Sequence, residues 1–289
     1  MIYCSLYVNS SCDTTGFISA KQTNRVATTP LTKDIHMNSS SPIAIVTGGS
    51  RGLGRSTVLS LAKRGVHSIF TYHSNRAEAE KVAALVHEAG SKAAALQLDT
   101  GNVSAFDDFA AAVRRVLQSW GRERFDYLVN NAGNSQHIDF EKMTEADFDA
   151  VLNVHFKGIY FLTQKLLPLM NDGARITNIS SGLTRVAVPG SSVYAAAKGA
   201  VEILTRYLAK ELGPRRITAN VVAPGPIQTD FSGGMVRDNP EVNKMISAMT
   251  ALGRPGVPED VGPMIAALLS DENRWVNAQR IEVSGGLAL

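Results

Sequence analysis

The chain has 289 residues, 44% of them hydrophobic and 19% charged, enough apolar material for a sizeable core. Its formal net charge of +3 is spread over scattered Lys and Arg, which excludes a basic face for nucleic acid and leaves a small molecule as the default partner. A membrane span is excluded too: the apolar run from Ile159 to Met170 contains Gln164, Lys165 and Pro168 and falls short of the roughly 18 residues required.

The first 41 residues are rich in Ser, Thr and Asn, carry only Asp13 and Asp34 as acids, and show no sustained period of two or of 3.6, so they read as a disordered extension. Met37 is the favoured start, with the residues before it a dispensable tail and the protein cytoplasmic. The alternative is a mitochondrial transit segment carried by Lys21, Arg25 and Lys33. Both cysteines, Cys4 and Cys12, lie in this stretch. Everything after them lacks a thiol for disulfide, zinc or nucleophilic chemistry, so redox chemistry requires a cofactor.

From Pro42 onward, short β-branched runs alternate with segments of helical period. Strands are predicted at 43–47, 68–72, 93–98, 126–129, 174–179, 217–222 and 280–283. Helices are predicted at 53–64, 75–89 and 103–119, then from Thr144 to Met170 with Asp147 in a variant capping box, and at 192–212 and 259–269. Gly65 and Gly213-Pro214 close two of them. The segment 226–256 reads as a loop of weak helical character. No linker divides 42–289, so the pattern gives a single α/β domain: a doubly wound, parallel seven-stranded sheet with helices on both faces.

After the first strand stands Thr47-Gly48-Gly49-Ser50-Arg51-Gly52-Leu53-Gly54. Glycines there permit a tight turn and let backbone approach a pyrophosphate at a helix N-terminus. A glycine-rich loop alone is a weak signal, because turns use glycine for its own sake. At the end of the second strand, where NAD-binding domains place an acid for the ribose 2′-hydroxyl, the sequence has Tyr72-His73-Ser74-Asn75-Arg76. With no acid present, Arg51 and Arg76 suit a 2′-phosphate, which favours NADP(H) over NAD(H).

Tyr194 and Lys198 stand four residues apart on one helix, hence on the same face. A free phenol has a pKa of about 10, and a nearby ammonium is expected to lower it toward working range. Ser181 ends the fifth strand thirteen residues upstream, where its hydroxyl is placed to hold a carbonyl oxygen.

Together these motifs make 42–289 resemble the short-chain dehydrogenase/reductases, with a Rossmann fold. The match runs in order: the Thr47–Gly54 loop, Asp99-Thr100, Asn130-Asn131-Ala132-Gly133, Asn153, Ser181, Tyr194, Lys198 and Pro224-Gly225-Pro226-Ile227-Gln228-Thr229. Within the family the likeness is to β-ketoacyl carrier-protein reductases and similar NADPH-dependent enzymes. The resemblance implies that Asn153, Ser181, Tyr194 and Lys198 are catalytic. It implies cofactor contacts from Gly48, Ser50, Arg51, Gly52, Leu53, Gly54, Tyr72, Ser74, Asn75, Arg76, Asp99, Thr100, Asn131, Ala132, Gly133, Tyr194, Lys198, Pro224, Gly225, Ile227 and Thr229. It further implies reduction of a small-molecule ketone with Tyr194 as acid/base, and a homotetramer. Departures are the N-terminal extension and Pro226, neither at a catalytic position.

No metal is expected, since His67, His73, His87, His137 and His155 lack ligand spacing and read as structural. Met235, Met245 and Met249 read as an apolar lid over an apolar or aromatic substrate, and Trp120 and Trp275 as core or pocket lining. Two rivals remain: a non-catalytic NADP-binding sensor on the same fold, and an epimerase or dehydratase with a retained nicotinamide. The filled catalytic positions disfavour the first, and the loop spacing disfavours the second.

Overall fold

The computed structural model describes residues 41–289. The expectations placed on residues 1–40, the Met37 start and the transit segment among them, lie outside the described residues. Seven strands form one sheet: β1 (Ile43–Val46), β2 (His67–Tyr72), β3 (Ala93–Gln97), β4 (Phe125–Asn130), β5 (Met170–Ile179), β6 (Thr218–Pro224) and β7 (Arg280–Val283). All pair in parallel, in the order β3-β2-β1-β4-β5-β6-β7. The helices are α1 (Gly52–Ala62), α2 (Arg76–Glu88), α3 (Phe106–Ser119), α4 (Glu145–Leu152), α5 (Gly158–Leu166), α6 (Ser192–Glu211), α7 (Met235–Asp238), α8 (Pro240–Met249) and α9 (Pro258–Leu268).

Successive strand residues point to opposite faces, and both faces here are covered, so β1 is apolar throughout. Ile43 and Ile45 join Leu128 and Ile176 under Phe106, Val113 and Leu117 of α3 and Leu162 and Leu166 of α5. Ala44 and Val46 join Phe70 and Val129 under Val58 and Leu61 of α1, Val82 of α2 and Val261 and Ile265 of α9. Each fully buried side chain of this size contributes roughly 1.5–3 kcal/mol. The strand order reverses between β1 and β4, which opens a crevice at the C-terminal ends of the strands.

The helix predicted from Thr144 to Met170 is broken. Thr144 caps α4 by accepting from the Asp147 N–H at 3.2 Å, and its hydroxyl donates to the Asp147 carboxylate at 2.6 Å. The reciprocal bond of the box thus goes to the hydroxyl rather than to the Thr144 N–H. A single π-turn, Asn153–Lys157, follows α4, and α5 restarts at Gly158, where an added Cβ would run into the Thr100 carbonyl oxygen. Pro168 ends the helical path, since it has no N–H to continue the ladder. Met170, predicted helical, opens β5 opposite Phe125.

The predicted loop 226–256 contains two helices, α7 and α8. Asn239 caps α8 through Oδ1, accepting from Glu241 and Val242 at 3.0 and 3.2 Å, with Pro240 in the first turn. That pairing of an Asn cap with a following proline is a start signal present in the sequence but outweighed by the surrounding glycines.

Candidate active site

The glycine loop is tied to its neighbours on both sides. Gly48 donates to Thr71 Oγ1 at 2.9 Å and Gly49 to the Thr71 carbonyl at 2.8 Å. Thr47 Oγ1 accepts from the Asn131 and Ala132 N–H groups, both at 2.9 Å, and Asn131 Nδ2 donates to the Thr47 carbonyl at 2.8 Å. Gly52 opens α1 at φ +54, and a Cβ on Gly54 would run into the Gly48 carbonyl oxygen. Arg51, the N-cap of α1, makes no side-chain cap, and the first turn contains no acid. The uncapped N–H groups of that turn fit a pyrophosphate. Thr229 lies across the cleft, with its methyl 3.5 Å from the position of a Cβ built on Gly52.

Tyr72 ends β2, and the exposed Ser74, Asn75 and Arg76 follow. Asn75 is committed to capping α2, accepting from Glu78 at 3.1 Å, and Arg76 pairs with Glu80 at 2.7 Å. Asp99 accepts from the Gly101 N–H at 2.8 Å, which shapes the loop after β3 against the π-turn that carries Asn153.

Ser181 leaves β5 in extended backbone and caps a one-turn 3-10 helix through Leu183 at 3.2 Å. α6 presents Tyr194 and Lys198 on one face, with Lys198 Nζ 5.7 Å from the centre of the phenol ring. The Lys198 ammonium is buried and donates to the Ile179 carbonyl at 2.8 Å. Burial pushes its pKa down to about 8. Burial pushes Tyr194 up to about 12, and a hydrogen bond with Ser181 works in the opposite direction. The expectation that Lys198 lowers the phenol is therefore not met in this structure. Desolvation of the buried phenol outweighs what its neighbours return, and the Ser181 hydrogen bond is the one that works against it.

Two residues that sequence reasoning did not place in the site touch Tyr194. His155, on the π-turn, meets the phenol edge-on with ring centres 4.8 Å apart, and Phe231 lies 6.2 Å away at 55°. His155 is buried, and its Nε2 lies 2.8 Å from the Asn134 carbonyl, so Nε2 carries the proton. Desolvation first, then Lys198, lowers its pKa to about 3, against the Asn134 bond. Its Nδ1 is buried without a hydrogen-bond partner among the described residues, so it is not the fully bonded structural histidine expected, and its ring walls the site. His67 and His87 accept from Lys92 and Ala93 backbone at 3.2 and 3.3 Å. His137 packs on Gly190, where an added Cβ would meet its ring at 2.6 Å. Among the described residues no cluster of His, Cys, Asp and Glu suits a metal, and no helix is long and apolar enough to cross a membrane.

Met235, Met245 and Met249 are half exposed along α7 and α8. Trp120 packs against the core and His67, whereas Trp275 is 95% exposed and lies outside the core.

A family model described as enoyl-(acyl carrier protein) reductase matches residues 48–288. A tetrahydroxynaphthalene reductase of Pestalotiopsis fici is 35% identical over 255 residues, covering 84% of this chain and 90% of its own. Among solved structures, the promiscuous reductase LugOII, which catalyses keto-reduction at C1 during lugdunomycin biosynthesis, superposes with a TM-score of 0.81 at 37% identity, covering 86% of this chain and 97% of its own. The angucycline C-6 ketoreductase LanV, solved with bound NADP, gives a TM-score of 0.81 at 34% identity over 86% of this chain and 95% of its own. With a seven-stranded parallel sheet and the motifs in order, the chain belongs to the short-chain dehydrogenase/reductase family and is an oxidoreductase.

Proposed function

We propose that the protein is an NADP(H)-dependent carbonyl reductase that interconverts a ketone and a secondary alcohol, with Tyr194 as acid/base. One observation carries this reading: α6 holds the Tyr194 phenol and the Lys198 ammonium, 5.7 Å from its ring centre, beside Ser181 at the end of β5. The keto-reducing relatives support the reaction class. The uncapped α1 turn suits the cofactor pyrophosphate, and Arg51 and Arg76, with no acid at the end of β2, support a 2′-phosphate. Arg76 exchanges its exposed Glu80 partner for that phosphate at little cost, since such surface pairs are weak.

The reduced nicotinamide, when bound, supplies the hydride. Ser181 donates a hydrogen bond to the ketone oxygen, and Tyr194 donates its proton there as negative charge develops. Lys198 would hold the nicotinamide ribose, and Asn153, through a water, would connect Lys198 to solvent for reprotonation of Tyr194. Phe231, His155 and the methionines of α7 and α8 favour an apolar or aromatic ketone. Exposed Phe148, Tyr160, Ile203 and Tyr207 on α4, α5 and α6 provide apolar surface for the contacts of a homotetramer.

The test is the initial rate of NADPH and, separately, NADH oxidation against β-ketoesters, quinones and aromatic ketones. NADPH-dependent turnover is expected, with Tyr194→Phe lowering it by at least about a thousandfold while NADPH affinity stays within about twofold. Near-normal activity in that variant would overturn the role of Tyr194. Tight NADPH binding without turnover on any substrate would favour the sensor.

A further inference from the structure

The turn that carries Ser181 is held from behind by charged groups that stand outside the reaction. Glu202 follows Lys198 by four residues and Tyr194 by eight on α6, so the three share one stripe of that helix. Its Oε1 accepts from Ser180 Oγ at 2.7 Å, Thr184 Oγ1 at 2.9 Å and Arg280 Nε at 2.8 Å. One carboxylate oxygen therefore grips the turn on both sides of Ser181. Arg280, on β7, covers the same turn: Nη2 reaches Thr184 Oγ1 at 3.1 Å and the Ser181 carbonyl at 3.4 Å, and Nη1 reaches Glu282 at 3.1 Å. Glu282 pairs with Arg185 at 2.8 Å, and Arg185 donates to the Leu287 carbonyl at 2.7 Å.

The side chains of Glu202 and Arg280 are only 16% and 27% exposed, so solvent screens this pair less than a surface one. Bonds to an ionised oxygen are also roughly twice as strong as neutral ones. Ser181 and Tyr194 must address the same ketone oxygen, and rate falls steeply with ångström-scale misplacement of such groups. Tyr194 stands on the helix, whereas Ser181 stands on a turn with its own backbone bonds, Arg185 N–H to the Gly182 carbonyl at 2.9 Å among them, and Glu202 ties side chains of that turn to the helix.

We propose that Glu202 and Arg280 are positioning residues for the reduction: their ion pair clamps the Ser181 turn onto the helix that carries Tyr194 and Lys198, and so sets the spacing of serine hydroxyl and phenol. The inference rests on the reductase reading above, and two readouts keep the failure of one apart from the failure of the other.

The first needs no substrate. In the full-length protein, Glu202→Gln and Glu202→Ala should speed amide hydrogen exchange in the 180–186 segment by about tenfold, with the interior of α6 unchanged. The second is kinetic. Glu202→Ala should lower kcat for the ketone about tenfold at unchanged KM for NADPH, and by less than about twofold when introduced into Ser181→Ala, where the group to be positioned is gone. The isosteric Glu202→Gln, which is expected to fold, should fall between wild type and Glu202→Ala. Equal losses in both backgrounds, or unchanged exchange at 180–186, would overturn the proposal. A wild-type protein that reduces no ketone overturns the reductase reading and the kinetic role with it, while the exchange data still decide whether the ion pair braces the turn.

Discussion

His155 shows how burial, helped by a neighbouring ammonium, can set the behaviour of a residue. Its pKa falls from 6.5 to about 3 because burial and then Lys198 oppose the charged form. Between those values the unfolded chain binds a proton that the folded chain does not. Stability from this group is therefore complete above about pH 6.5 and is lost as pH falls toward 3. Thermal midpoints should drop between pH 7 and pH 4, and His155→Phe should flatten that slope; parallel slopes for the two proteins would exclude the histidine as the source. Lys198 acts in the same sense at higher pH: its lowered pKa gives a contribution that grows as pH rises from about 8 toward 10.5.

At the scale of elements, the contact between α5 and the loop after β3 is the tightest constraint near the site. A Cβ on Gly158 would collide with the Thr100 carbonyl, so Gly158→Ala must shift backbone on one side or the other. Overpacking of this kind costs about 1–3 kcal/mol, and a urea midpoint should report it at unchanged m-value. An unaltered midpoint would mean that the π-turn yields freely. The same segment marks the limit of what the sequence discloses. The Tyr194–Lys198 pair and the glycine loop are legible because their geometry follows from spacing within one helix or one turn. The approach of His155 and Phe231 to Tyr194 is not, because it depends on a π-turn and a docked loop with no periodic signature. The direction of the phenol's pKa is equally hidden, since it is set by desolvation rather than by the distance along the chain to Lys198. The Glu202–Arg280 pair joins residues 78 positions apart, a separation that no local pattern can bridge.

For the whole molecule, a cofactor that binds only the folded chain must stabilise it by mass action. NADPH at about a hundred times its Kd should add about 2.7 kcal/mol, and for a chain of this size that is a rise of roughly 5–10 °C in Tm. NADH at the same concentration should give a smaller rise, and a larger one would reverse the stated preference. The π-turn between α4 and α5 has a further consequence in evolutionary terms. Such a turn is one residue more than a regular helix needs. Because the wide turn takes up that residue locally, α4 and α5 keep the phase they would have in one ordinary helix, and Leu162 and Leu166 keep their places in the core. Removing it would cost the core little and the site much, since the turn carries Asn153 and sets His155 against Tyr194. The turn is thus held by the site rather than by the packing around it.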